Sequence, residues 1–153
     1  MEAKIQELNE EEKVWIEGQI DAAKAFISKF SPTDAVEFPN LAALDRAWSA
    51  WLDSNPGDTA NINETINCVG MAFGRSVSEA TGLRWVIATD NHGTDLALFG
   101  LPGKGDFLIY PANFVAKRWE RREKNFLERS QALLKADIER VSSDRSKPRW
   151  KFW

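Results

Sequence analysis

Leu83–Arg122 reads LRWVIATDNHGTDLALFGLPGKGDFLIYPANFVAKRWERR, and its reading decides the fold. Three apolar runs are separated by turn signals. Leu83–Thr89 is rich in β-formers and predicts a strand. Asp90-Asn91-His92-Gly93 is hairpin chemistry, with Gly93 placed for positive φ. Thr94–Phe99 predicts a second strand, Gly100–Gly105 a looser connection, and Asp106–Tyr110 a third strand ended by Pro111. Apolar side chains fall on both faces, Trp85 and Ile87 on one, Val86 and Ala88 on the other. A sheet with one wet face alternates more cleanly, so helices should cover one side and something should partly cover the other.

Helical patterns flank this meander. Asn9 with Glu12 has capping-box spacing and predicts a helix over about Glu10–Lys29, with Trp15, Ile16, Ile20, Ala23, Ile27 and Phe30 on its apolar face. Ser31-Pro32 ends it, and a connector runs to Pro39. Asn40 caps a second helix over Leu41–Asp53, followed by the turn signal Asn55-Pro56-Gly57-Asp58. A third helix is predicted from Asn61 or Asn63, with Asn61 and Glu64 at capping-box spacing, and Gly82 can stop it in the left-handed region. Gly70 and Gly74 on this helix imply close approach of another element. The fourth helix is predicted as one long element over about Asn113–Val141. Its apolar stripe drifts, from Val115, Trp119, Phe126 and Leu133 to Leu127, Leu134, Ile138 and Val141, so its two halves should pack against different elements. The expected architecture is α+β: a three-stranded antiparallel meander over about 83–110 packed by four helices, the last one long. It forms a single domain over 1–153, with a loose N-terminal arm at 1–8 and a basic-aromatic C-terminal tail at 142–153.

Composition narrows the class. The 43% apolar and 28% charged fractions are ordinary for a globular chain, and no run approaches the ~18 apolar residues of a membrane span. The single cysteine, Cys68, excludes an internal disulfide and a multi-cysteine zinc site. The acidic start MEAKIQELNEEEK lacks the apolar core of an export signal, which points to the cytoplasm. The net charge of −3 conceals an asymmetry. Residues 117–151 hold twelve basic and six acidic side chains, against eight and seventeen in the rest. A polyanion would have to find the C-terminal third, because the remainder repels it.

No constellation compels a reaction. His92, the only histidine, lies in the hairpin turn between Asp90 and Asp95 and could serve as a base. Three ligands converging across so short a turn make a poor metal site, and no cofactor motif is present. Pro-Gly-Lys-Gly at 102–105 leads into a strand rather than a helix, so it is not a phosphate loop. Arg122 falls between Trp119 and Phe126, in the middle of the long helix's apolar stripe, with Arg118 on its flank. A guanidinium there must stack on a ring or meet a carboxylate, with Asp90, Asp95 and Asp106 available on the sheet. Trp15, Trp48, Trp51, Trp85 and Trp119 lie in predicted elements and are expected in the core. Trp150 and Trp153 belong to Arg149-Trp150-Lys151-Phe152-Trp153, which suits base stacking, a protein groove, a membrane surface or a groove of its own domain.

The residues Gly82, Leu83, Arg84, Trp85, Val86, Asp90, Gly93, Asp95, Leu96, Ala97 and Leu98, then Pro111, Val115, Lys117 and Arg118, resemble the bacterial domain-of-unknown-function family 3806 (DUF3806) over about residues 63–138. His92 departs from the family pattern, which usually has an aromatic ring, often tyrosine, at that place. The resemblance implies a small bacterial α+β domain and no established activity.

The lack of a catalytic set and the acidic first two-thirds point to a non-enzymatic adaptor or immunity-type protein whose partner is another protein. Two alternatives stay open. One is an enzyme or small-ligand module built on Asp90, His92 and Asp95 with Arg118 or Arg122. The other, less favoured, is nucleic-acid binding by the long helix and tail. The candidate binding residues are Asp90, His92, Asp95, Arg118, Arg122, Trp150 and Trp153, with no catalytic residue, metal ligand or cofactor assigned.

Overall fold

The structure, a computed structural model, describes residues 3–34, 39–100, 106–143 and 151–152. Helix α1 spans Glu10–Phe30 and begins as its spacing predicts. Asn9 Oδ1 accepts the Glu12 N–H at 2.8 Å, and Glu12 Oε1 accepts the Asn9 N–H at 2.7 Å. Two otherwise orphaned donors are thereby satisfied, and Ile16, Ile20, Ala23, Phe26 and Ile27 are buried beneath them. After a 3-10 turn at Pro32–Asp34, helix α2 covers Leu41–Asp53, capped by Asn40 as expected. Helix α3, Thr59–Thr81, starts earlier than expected because Asp58 takes the cap, its carboxylate accepting the Ala60 N–H at 3.1 Å. The Asn61/Glu64 spacing therefore lies inside the helix. Gly82 ends it with φ 80°, a conformation that would strain any side chain.

Among the described residues the sheet has five strands, not three: β1 Lys4–Gln6, β2 Arg84–Asp90, β3 Gly93–Gly100, β4 Phe107–Ile109 and β5 Lys151–Phe152, in that order. The first four are antiparallel neighbours, and β5 runs parallel to β4. The meander is thus extended at both edges. The supposed loose arm supplies β1, with Ile5 opposite Ala88. Three residues with one apolar side chain carry no strand signal of their own; pairing with the edge of β2 makes the strand. Of the tail, residues 142–143 lie in a helix and Lys151–Phe152 form β5, while Trp150 and Trp153 lie outside the described residues. The Gly100–Gly105 connection likewise falls outside them from residue 101 to 105.

Both faces of the sheet are apolar, as the strand pattern implies. Leu98, Phe107 and Ile109, with Trp85 and Leu96, join the helical core. Val86, Ala88, Ala97, Phe99 and Leu108 form a second buried cluster with Ala3, Ile5 and Tyr110.

The expected long fourth helix is two helices, α4 Pro111–Glu120 and α5 Leu127–Ser143, which brings the described α-helices to five rather than four. The break holds Arg122 and Asn125 at φ 51° and 56°, in the left-handed region. Helix α2 holds that corner residue by residue. Trp48 Nε1 donates to the Glu123 carbonyl at 2.8 Å, and its ring meets Phe126 edge-on at 5.5 Å. Trp51 lies 5.0 Å from Trp119. Asp45, only 8% exposed, accepts the N–H groups of Leu127 at 2.9 Å and Glu128 at 3.1 Å. Phe126 precedes the first turn of α5 and has no side-chain acceptor, so Asp45 caps that helix from another element. The break explains the drift of the stripe: both halves pack against α3, but α4 also meets β3 and α5 also meets α2.

Helix α3 is the hub, packed against α1, α4 and α5. The close approach expected at its glycines is present. A Cβ on Gly70 would lie 2.8 Å from Ala112 Cα, and one on Gly74 would strike the Trp85 ring. Two core expectations fail: Trp15 is 41% and Leu133 is 54% exposed. In both helices the buried stripe is narrower than the apolar spacing implies.

Candidate functional site

The hairpin turn is built by Asp90. Its Oδ1 accepts the His92 N–H at 2.7 Å and its Oδ2 accepts the Tyr110 hydroxyl at 2.9 Å. The first bond shapes an Asx turn. The second ties the tip of β2 to the residue just before α4. These bonds, the His92 N–H first, hold the Asp90 carboxyl below its ordinary value. Burial, then the Asp90 bond, pushes the Tyr110 phenol well above the usual range. His92 itself is exposed, and Asp95 is exposed with its Oδ1 on the Leu96 N–H at 2.8 Å. The turn therefore satisfies its own polar groups.

The arginines belong to the α4–α5 corner. Arg118 lays its guanidinium 3.7 Å from the Phe114 ring centroid and donates Nη1 to the Phe114 carbonyl at 3.3 Å. Its carboxylate is Glu123, with Oε2 3.6 Å from Nε, and not an aspartate of the sheet. That separation is an ion pair beyond hydrogen-bond reach, and Nε is buried with no hydrogen-bond partner among the described residues. Burial lowers the Arg118 pKa, with Glu123 opposing. Arg122 does not sit in the middle of an apolar face. It is exposed at the break and stacked 3.7 Å from the Trp119 ring centroid. Glu123 Oε1 also takes Arg129 Nη2 at 3.1 Å. No described bond joins the hairpin residues to these arginines.

Cys68 is buried, with Sγ 3.4 Å from the Thr65 carbonyl oxygen. Burial pushes its thiol up to about 12, so it is no thiolate at neutral pH. Among the described residues no group of three or more His, Cys, Asp or Glu could hold a metal ion, and no helix is long and apolar enough to cross a membrane.

A cleft of about 620 Å³ opens elsewhere, where α2 begins against α3 and α5; Asn40, Arg75, Ser76, Glu79, Glu128 and Gln131 supply its polar lining. Several of its groups already have partners. Ser76 donates to Gln131 at 2.6 Å, Asn40 caps α2, and Arg75 pairs with Glu17 at 3.3 Å and Glu79 at 3.4 Å.

The surface that the sequence reading missed is the outward side of α1. Val14 is 68% exposed, and Trp15 lies beside it among exposed Glu10, Glu11, Glu17 and Asp21. At about 3.6 residues per turn, Glu11, Val14, Gly18, Ala22, Ala25 and Lys29 share one stripe opposite Ile16, Ile20 and Ile27. All six are exposed, and nothing stands within 4 Å of a Cβ built on Gly18. The signal was available: a glycine inside a helix costs about 1 kcal/mol, and here no neighbour in the fold requires it.

A family described as "Domain of unknown function (DUF3806)" matches residues 41–128. No curated protein and no solved structure matches the chain.

Proposed function

The chain belongs to the DUF3806 family, a domain of unknown function, and from that premise we propose that it is a non-enzymatic protein-interaction domain whose contact surface is the outward face of α1. One observation carries this reading: Val14 and Trp15 stand together in solvent on an acidic helix. Exposed single apolar residues need no explanation, but an adjacent valine and tryptophan framed by charge have the make-up of an interface anchor and its rim. Most polar groups of the turn, the corner and the cleft have partners within the fold, which supports contact rather than chemistry. The α1 face lies outside the matched span, so the reading concerns this chain and not the family at large.

The test is a photoreactive aryl residue placed at Val14 in cells that make the protein, with the same group at exposed Asn91 as control. Covalent protein adducts at position 14 that exceed those at 91 are expected. Equal labelling at the two positions refutes the reading.

A further inference from the structure

The α1 stripe is complementary to itself. It carries Glu11 at one end and Lys29 at the other, with Val14, Gly18, Ala22 and Ala25 between and Trp15 on the flank. Turned end for end about a point level with Ile20, the stripe places Glu11 opposite Lys29 and Gly18 opposite Ala22. Opposite charges meet at the two ends of the stripe and the smallest residues meet at the crossing, with the acidic Glu17 and Asp21 off to one flank. Glu11 to Lys29 is about 27 Å along the axis at ~1.5 Å per residue, a continuous seam of five turns.

We propose that this face packs antiparallel against the α1 of a second copy of the chain. The proposal rests on α1 being a contact surface and names what occupies it. Gly18 then has a reason that the monomer does not supply. Glycine and alanine at a helix crossing let two backbones approach closely, which offsets the propensity cost of the glycine. Two-fold pairing is the commonest closed symmetry, because one patch serves both partners. One helix pair buries less than the roughly 1,200–2,000 Å² of a standard stable interface, so the dimer is weak and concentration-dependent.

Sedimentation velocity on the full chain, from roughly 1 μM to 1 mM, covers the range of weak complexes. The expected result is a monomer–dimer equilibrium. Gly18→Arg should remain monomeric throughout with a Tm at or above that of the parent, since the site is open in the monomer and arginine is the better helix former. Glu11→Lys and Lys29→Glu should each weaken the dimer by about tenfold, because each converts two attractive pairs into repulsive ones. An equimolar mixture of those two variants should recover pairing, as one copy then offers two lysines and the other two glutamates. A parent that is monomeric throughout, a Gly18→Arg variant that dimerises normally, or a mixture that pairs no better than either variant alone overturns the proposal. Adducts at position 14 with a different protein, alongside a monomeric parent, would overturn self-pairing and leave the interaction reading standing. No excess of adducts at position 14 overturns both.

Discussion

Replacing Asp45 tests how the α4–α5 corner is held. Its carboxylate accepts two backbone N–H groups at the start of α5, from Leu127 and Glu128, and is 8% exposed. Asp45→Ala removes both acceptors and leaves at least the buried Leu127 N–H without a partner. Hydrogen bonds to charged groups contribute about 1.5–3 kcal/mol each, and loss of a helix cap costs about 0.5–2 kcal/mol. Two bonds sharing one acceptor group, with some water access, come to about 2–4 kcal/mol. For a chain of this size that lowers Tm by roughly 5–15 °C. Asp45→Asn keeps one acceptor oxygen of the two and should lose about half as much. Urea unfolding should show a lower midpoint at unchanged slope, and amide exchange should accelerate first at Leu127 and Glu128. A loss under about 0.5 kcal/mol for Asp45→Ala, typical of an ordinary surface change, refutes the capping argument. So does unchanged exchange at those two amides.

Three further outcomes follow from the same geometry. Gly70→Ala should destabilise by about 1–3 kcal/mol, since the new methyl would sit 2.8 Å from Ala112 Cα and the obstacle is backbone, whereas Gly18→Ala should stabilise by up to about 1 kcal/mol; chemical denaturation of both variants checks the contrast. The chain has one tyrosine, so ultraviolet titration reads Tyr110 directly, and Asp90→Asn should move its ionisation down toward the usual ~10. The raised phenol pKa stabilises the fold fully below ~10 and loses that contribution as pH climbs toward the folded value, while the depressed Asp90 pKa contributes above ~3.9 and fades as pH falls below it. Denaturation midpoints at pH 3, 7 and 11 should therefore be highest at 7, with both flanks reduced in their pH dependence in Asp90→Asn. Finally, Cys68 should react with a thiol reagent only as fast as the protein unfolds, and fast labelling in native buffer would contradict its burial and raised pKa.

Local chemistry was readable wherever the chain acts on its own neighbours. The Asn9–Glu12 box, the Asn40 cap, the Gly82 stop and the hairpin around Gly93 each involve residues a few positions apart, and the structure has them all. What escaped depends on distant partners. Lys4-Ile5-Gln6 is a strand only because β2 offers an edge. The segment 121–126 contains no glycine or proline and reads as helix; its bend is held from α2 by Asp45 and Trp48. The stripe that drifted between Trp119 and Leu134 was the one local trace of that bend. The candidate residues fared similarly. Arg118 lies near the apolar surface as expected, but its carboxylate is Glu123, five residues on, which a straight helix would have carried away from it. Spacing alone puts Trp15 in the core, but spacing does not say where an apolar stripe ends.

The corner held by Asp45 also bears on the order in which the chain assembles. Its two decisive bonds span 75 and 82 residues of sequence. Loop closure of that length is costly to make early, whereas helix elongation is fast and local. Before α2 docks, only the local turn at the end of α4, where the Glu123 N–H meets the Arg118 carbonyl at 2.9 Å, opposes residues 111–143 running on as one straight rod about 50 Å long at ~1.5 Å per residue. That rod is a competitor to the native bend, stabilised by the same helical propensities that serve α4 and α5 separately. Docking of α2 is thus what favours the bend over the rod, through bonds that close long loops.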